Sequence, residues 1–182
     1  MAGDSNQSDS STERSRNLWA PWRMEYINEL ADSDRSCFLC RYRDDPGNDR
    51  ANLVLWRRPN AMVLMNRFPY TGGHLLVAPL AHVGTLHDLD EPALCELMTS
   101  LRDSQDLVSE VLHPDGFNMG LNFGRCAGAG LPGHLHLHVV PRWEGDTNFM
   151  TVLGDVRVIP EALQPLYGRL RQQADAMGFT GR

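Results

Sequence analysis

Residues 133–142, Gly-His-Leu-His-Leu-His-Val-Val-Pro-Arg, limit what this chain can fold into more than any other stretch. His134, His136 and His138 alternate with Leu135, Leu137 and Val139, the period of a β-strand, so imidazoles share one face and aliphatics the other. At a rise of about 3.3 Å per residue, successive rings on that face stand roughly 6.5 to 7 Å apart. Histidine titrates near neutrality and attacks as a nucleophile when neutral, which makes this a candidate reactive face. A metal-binding tract, or a half-buried strand with a His-rich polar side, is the competing reading. The Gly-rich segment Ala127–Gly133 just before the run favours the first, because a phosphate chain can approach the backbone N–H groups of such a loop.

The remaining elements follow from local pattern. Residues 1–17 contain no large apolar side chain after Met1 and are expected to be a disordered tail. At Leu18 the composition changes; Trp19 and Trp22 imply burial against the domain or a subunit partner, with a short helix from about Pro21. Ala51–Arg57 and Ala61–Asn66 read as strands joined at Arg58-Pro59-Asn60, and His74–Pro79 as a third strand introduced by Thr71-Gly72-Gly73. A long helix is predicted from an Asp90 N-cap, with Leu94, Leu97, Met98, Leu101, Val108, Val111 and Leu112 on its apolar stripe, ending before Pro114. Phe117–Phe123 and the histidine run supply two more strands, and a closing helix runs from Ile159-Pro160 to about Met177. Strands, helix, strands, helix predict an α+β fold, a mostly antiparallel five-stranded sheet with the long helix on one face and a C-terminal helix.

Composition narrows the partners. The 182 residues suit a single domain over 18–182, and 42% hydrophobic with 22% charged residues excludes a chain disordered throughout. No apolar run approaches the ~18 residues of a spanning helix, so no membrane partner is expected. A net charge of -6 argues against nucleic acid held by bulk electrostatics; an anionic ligand must meet local donors. Four cysteines, only Cys37 and Cys40 close together, form no disulfide framework, and the polar amino terminus is no signal peptide, so a reducing, cytoplasmic setting is expected. Cys-x-x-Cys is a zinc-knuckle spacing that requires two further ligands, and without a second such pair they must be histidines. Two reduced, buried thiols are the alternative.

His-Leu-His-Leu-His-Val-Val resembles the signature of the histidine triad (HIT) family, His-φ-His-φ-His-φ-φ with φ apolar. The match extends through Gly116-Phe117-Asn118, Leu121–Gly124 and Pro141–Met150, is similar to the bacterial diadenosine tetraphosphate phosphorylase branch, and covers residues 18–182. The resemblance implies a HIT-like fold, a homodimer, and an enzyme that transfers or hydrolyses nucleotides, dinucleoside polyphosphates among them, through a nucleotidyl-histidine. Inorganic phosphate or water would be the second acceptor. It makes His136 the nucleophile and sets His138 beside the leaving group, while His rather than Gln at 138 favours hydrolase or phosphorylase chemistry over hexose phosphate transfer. It puts Asn66 on the ribose hydroxyls, Asn122 at the phosphates, and the backbone of residues 124–133, Gly128 and Gly130 included, around them. Trp143 would flank the pocket or serve as a dimer or core aromatic, and Phe38 and Leu39 would wall the base. His74 matches a recurring histidine of the fold and reads best as a packed, hydrogen-bonded core residue. Zinc-bearing members imply a structural zinc on Cys37, Cys40, His82 and His134. Relatives carry Ser, Thr or Gln-Ser just before the triad, whereas this chain has Ala129-Gly130-Leu131-Pro132-Gly133. A nucleotide-binding module without turnover is the reading from another class.

Overall fold

In the computed structural model, residues 37–147, 159 and 161–179 are described. The tail 1–17, the Trp19 and Trp22 segment with its helix from Pro21, the domain start at residue 18 and the end of the family match at 148–150 lie outside the described residues. Antiparallel pairing builds a five-stranded sheet in the order β1-β2-β3-β5-β4, from β1 (Val54–Arg57), β2 (Ala61–Met65), β3 (Leu75–Pro79), β4 (Gly116–Leu121) and β5 (Leu137–Arg142). Helix α1 (Phe38–Arg43) precedes the sheet, α2 (Glu91–Leu112) joins β3 to β4, and α3 (Leu163–Ala176) follows β5.

Period-two alternation decides which residues each layer receives. Val63, Leu75, Val77, Leu137 and Val139 bury against Leu97, Leu101 and Val108 of α2 and Leu166 and Leu170 of α3. On the opposite face Val54, Met62, Leu64, Leu76 and Ala78 close on Leu39 of α1, with Phe38 packed beside them. Each such fully buried aliphatic side chain contributes about 1.5–3 kcal/mol. A bulge between Val54 and Trp56 breaks the alternation of β1, so that Leu55 and Trp56 both enter the helix-side core.

The long helix begins as predicted: the Asp90 side chain accepts from the Ala93 N–H at 2.9 Å. It ends on His113 in a left-handed conformation, φ 47°, before Pro114. Three expectations shift. Residues 51 and 52 belong to a helical turn, Asp49–Asn52, that Leu53 closes at φ 60°, so β1 starts at Val54. Asp49 holds Arg57 and Asp45 holds Asn52, and these local hydrogen bonds outcompete extension. The closing helix starts at Leu163 rather than at 159–160. The ladder of the histidine strand starts at Leu137, leaving His134 to His136 as an extended lead-in, with the Leu135 N–H donated to Val83 O at 2.7 Å.

Candidate active site

The lead-in and the strand divide the triad. Of its three histidines only His138 lies in the sheet, opposite Leu76 of β3 and Gly120 of β4. His136 and His138 have ring centroids 5.1 Å apart, edge to face, closer than the 6.5 to 7 Å backbone repeat of an ideal strand. His134 turns to meet the edge of the His82 ring instead, also 5.1 Å away.

Neighbouring groups fix the tautomer of each ring. His136 Nδ1 lies 2.9 Å from His134 O; a carbonyl only accepts, so Nδ1 carries the proton and the Nε2 lone pair is left for chemistry. Burial holds the His136 pKa below that of a free imidazole, against the opposing effect of this carbonyl, and the ring is neutral at pH 7.

His74, at the start of β3, is buried and hydrogen-bonded as expected, and its partner is the triad. Its Nδ1 receives two donors, the Tyr70 backbone N–H at 3.1 Å and Asn66 Nδ2 at 3.3 Å. The single proton of the neutral ring therefore sits on Nε2, which donates to His138 Nδ1 at 2.9 Å. His138 must then carry its own proton on Nε2. Burial lowers the His74 pKa to about 3, with smaller contributions from His138 and His136, so the ring stays neutral. Tyr70 packs on both, its ring 4.6 Å from His74 and stacked 5.9 Å from His138. Sequence reasoning missed this relay; the signal was Tyr70-Thr-Gly-Gly-His74 ahead of an apolar strand, legible only once β3 is known to pair with β5.

Asn66 is half-buried. Its Oδ1 accepts from the Phe68 N–H at 3.0 Å, so each end of the amide makes one hydrogen bond and retains capacity for a second. Asn122, Trp143 and His138 line a cavity of about 820 Å³ that runs along β4 and β5 past Tyr70, Val140 and Arg142; His136 is not part of its wall. In the glycine loop the Gly128 N–H goes to Arg125 O at 3.0 Å and the Ala129 N–H to Gly124 O at 3.2 Å. Gly128, at φ 87°, therefore shapes the loop rather than offering a donor, and Gly130 stands exposed beyond it. Leu39 is sealed in the lower core and Phe38 lies at its edge.

Cys37, Cys40, His82 and His134 come together, with ligand atoms all within 4.8 Å of one another. Sγ of Cys37 is 3.1 Å from His134 Nδ1 and Sγ of Cys40 is 3.2 Å from His82 Nδ1. Two ligands on one tetrahedral zinc, with bonds of about 2.3 and 2.0 Å, would stand ~3.5 Å apart, so the donor set fits. His134 Nε2 donates to Pro79 O at 2.8 Å, which fixes the tautomer and turns the Nδ1 lone pair toward the sulfurs. Burial, with Cys40 adding to it, pushes the Cys37 thiol up to about 11, a state a bound cation would reverse.

A model of the HIT domain matches residues 48–145. The chain belongs to the HIT family. It is similar to AP-4-A phosphorylase of Mycobacterium tuberculosis, 40% identical over 152 residues that cover 81% of this chain and 78% of that protein. It is also similar to asymmetrical bis(5'-nucleosyl)-tetraphosphatase of Schizosaccharomyces pombe, 34% identical over 93 residues, 51% of this chain and 50% of that one. Among solved structures, a zinc-bound histidine triad family protein from Mycobacterium smegmatis superposes with a TM-score of 0.62 at 25% identity, over 80% of this chain and 97% of that chain. The α+β architecture expected from the sequence is the HIT fold. Among the described residues, no helix is long and apolar enough to cross a membrane.

Proposed function

We propose that this HIT protein is a nucleotidyltransferase that cleaves dinucleoside polyphosphates, such as diadenosine tetraphosphate, by phosphorolysis. The observation that carries this reading is the pair of tautomers at the centre of the triad: a lone pair on His136 Nε2 and a proton on His138 Nε2. His136 Nε2 attacks the α-phosphorus and forms a P–N bond while the bond to the bridging oxygen breaks. The electron pair leaves on that oxygen, which His138 Nε2–H stabilises as its charge develops. The His136 ring becomes cationic, and its Nδ1–H bond to His134 O strengthens as it does. An oxygen of inorganic phosphate then attacks the same phosphorus, the P–N bond breaks, and neutral His136 is regenerated.

Around this centre Asn66 uses its remaining donor and acceptor on the ribose diol, and Phe38 walls the base. Asn122 and the loop carrying Gly128 and Gly130 surround the phosphates, and Trp143 flanks the leaving nucleotide in the cavity beside His138. Cys37, Cys40, His82 and His134 would hold zinc as a structural ion, since four protein ligands leave no open position. It would supply cross-linking and charge neutralisation there. A homodimer is supported by β4, an edge strand with no described partner on its outer side, and by the exposure of Met119 in it and of Phe123 just beyond it. A cytoplasmic setting fits free cysteines at 37, 40, 95 and 126.

Incubation with diadenosine tetraphosphate, with and without inorganic phosphate, tests the reading. ADP plus ATP formed only with phosphate is the expected result. AMP plus ATP without phosphate would replace the acceptor by water, and tight binding with no product would reduce the protein to a binding module.

A further inference from the structure

Beyond His138 the cavity runs on along a face that the strands leave recessed. His138, Val140 and Arg142 alternate on one side of β5 and stand opposite Gly120, Asn118 and Gly116 of β4. Neither glycine adopts a left-handed φ, and a Cβ at either would meet nothing within 4 Å. The backbone therefore does not require them, and a glycine inside a strand without such a need marks a place where a ligand comes close. At about 3.3 Å per residue the row from His138 to Arg142 is ~13 Å long.

The two ends of this row differ in charge. Around His138 the wall is neutral and offers donors, the Nε2–H of that ring and the amide of Asn122. At the far end Arg142 is the only cation of the wall among the described residues, and it is already neutralised. Its Nε and Nη2 donate to the two oxygens of Asp146 at 2.5 and 2.9 Å, and its Nη1 to Asn118 Oδ1 at 2.8 Å. These bonds hold the Asp146 carboxyl well below the usual carboxylate range, so the pair is ionised at pH 7. Glu144 and Glu161 line the same end, Glu161 tied to Arg169 at 2.8 Å, and Asp115 accepts the Glu144 N–H at 2.7 Å. Three carboxylates against one guanidinium leave the far wall net negative, while Leu112, Met119 and Val140 give it apolar surface.

Such a gradient sorts the parts of a polyphosphate. A cleft lined by one sign of charge concentrates its field, so a free terminal phosphate carried toward Arg142 would be repelled. An uncharged nucleoside would meet apolar walls and a few polar groups instead, the usual make-up of a small-molecule site.

We infer that the far half of the cavity is a subsite for an uncharged nucleoside, and that Glu144 and Glu161 make it select polyphosphates capped at their far end over those ending in a free phosphate. The inference rests on the reading of the chain as an enzyme of dinucleoside polyphosphates and adds the residues that decide which polyphosphates it accepts.

The test uses diadenosine tetraphosphate and adenosine tetraphosphate, which share the same phosphate chain and differ in the cap. Calorimetry on the full chain carrying His136→Ala gives the Kd of each in buffer free of divalent cations. The capped ligand is expected to bind roughly 10–100-fold more tightly. Adding Glu144→Gln with Glu161→Gln should narrow that ratio roughly 3–10-fold, chiefly by strengthening the uncapped ligand, and Glu144→Lys should narrow it further. The same ratio read as kcat/KM in the otherwise wild-type chain covers a His136→Ala protein that fails to fold. Equal affinities, or a ratio that the carboxamides leave unchanged, overturn the inference. So does a magnesium-dependent tightening of adenosine tetraphosphate that the double variant loses, because the carboxylates would then hold a cation. A binding preference that responds to the carboxamides without any turnover leaves the subsite standing and removes the enzymatic reading. Turnover of both ligands at equal kcat/KM keeps the enzyme and removes the selection.

Discussion

The two ends of the histidine run use one device to opposite effect. At the amino-terminal end, Pro79 O takes the proton of His134 Nε2 and turns a lone pair toward two sulfurs. At the carboxyl-terminal end, the Tyr70 N–H occupies the lone pair of His74 Nδ1, so that His74, and through it His138, each present a proton from Nε2. A backbone group decides in both cases, a carbonyl in one and an amide in the other, and the decision spreads to the next ring. One end turns a lone pair toward a thiol pair and the other presents a proton, although the residue type is the same. Burial supports both by keeping His134 and His74 neutral.

Between the ends stands His136, whose Nδ1–H is held by His134 O and which is the proposed nucleophile. Its removal breaks the division of labour outright. His136→Ala should leave nucleotide binding in place and lower turnover by roughly 10⁴-fold or more, read from single-turnover kinetics together with a calorimetric Kd. Substantial remaining turnover would pass the nucleophile to another ring and dissolve the contrast between the ends.

A milder perturbation sharpens it. His138→Asn removes the Nε2 proton proposed to stabilise the bridging oxygen and should cost about 10²–10³ in kcat for diadenosine tetraphosphate. With a substrate whose leaving group is a weakly basic phenolate, the loss should largely vanish, since such an oxygen departs without a donor. An equal loss on both substrates would make His138 a scaffold for the site rather than the donor at its carboxyl-terminal end.

Much of this was legible in the chain because it is local. The alternation around residues 134–139, the Asp90 cap with its apolar stripe, and the Cys37-x-x-Cys40 spacing are short-range patterns that fix strand, helix and thiol pair. The α+β order followed from them. What the sequence hid is non-local. That His74 aligns on His138 depends on the β3–β5 register, which sets Leu76 opposite His138 across 62 positions. That the β3–β5 pairing stops at Val77–Leu137 although β3 runs on to Pro79, whose carbonyl accepts from His134 Nε2, is equally non-local. The helical turn at Asp49–Asn52 was hidden for a related reason: it is stabilised by Asp45 and by Arg57, from either side of a segment that reads as extended by its own residues. Asn66, expected at a ribose, also donates to His74 Nδ1, a contact visible only when the two side chains meet.

The smallest expected effect tests the carboxyl-terminal end through stability. His74 titrates at about 3 in the folded protein and near 6.5 when unfolded, so between these values the unfolded chain binds the extra proton. The stabilisation is complete above pH 6.5 and is lost as pH falls toward 3, at up to ~1.4 kcal/mol per pH unit. His136 and His134, also lowered, contribute in the same direction. His74→Gln removes the titration while its amide can still bridge Tyr70 and His138, so kcat should fall only about tenfold. Urea unfolding at steps between pH 6.5 and 4 should give a shallower pH slope in the variant than in wild type. Equal slopes would mean that folded His74 titrates as it does unfolded and is cationic in the lower part of that range. Protonated on both nitrogens, the ring could not accept from Tyr70, and the backbone would no longer decide which proton His138 presents.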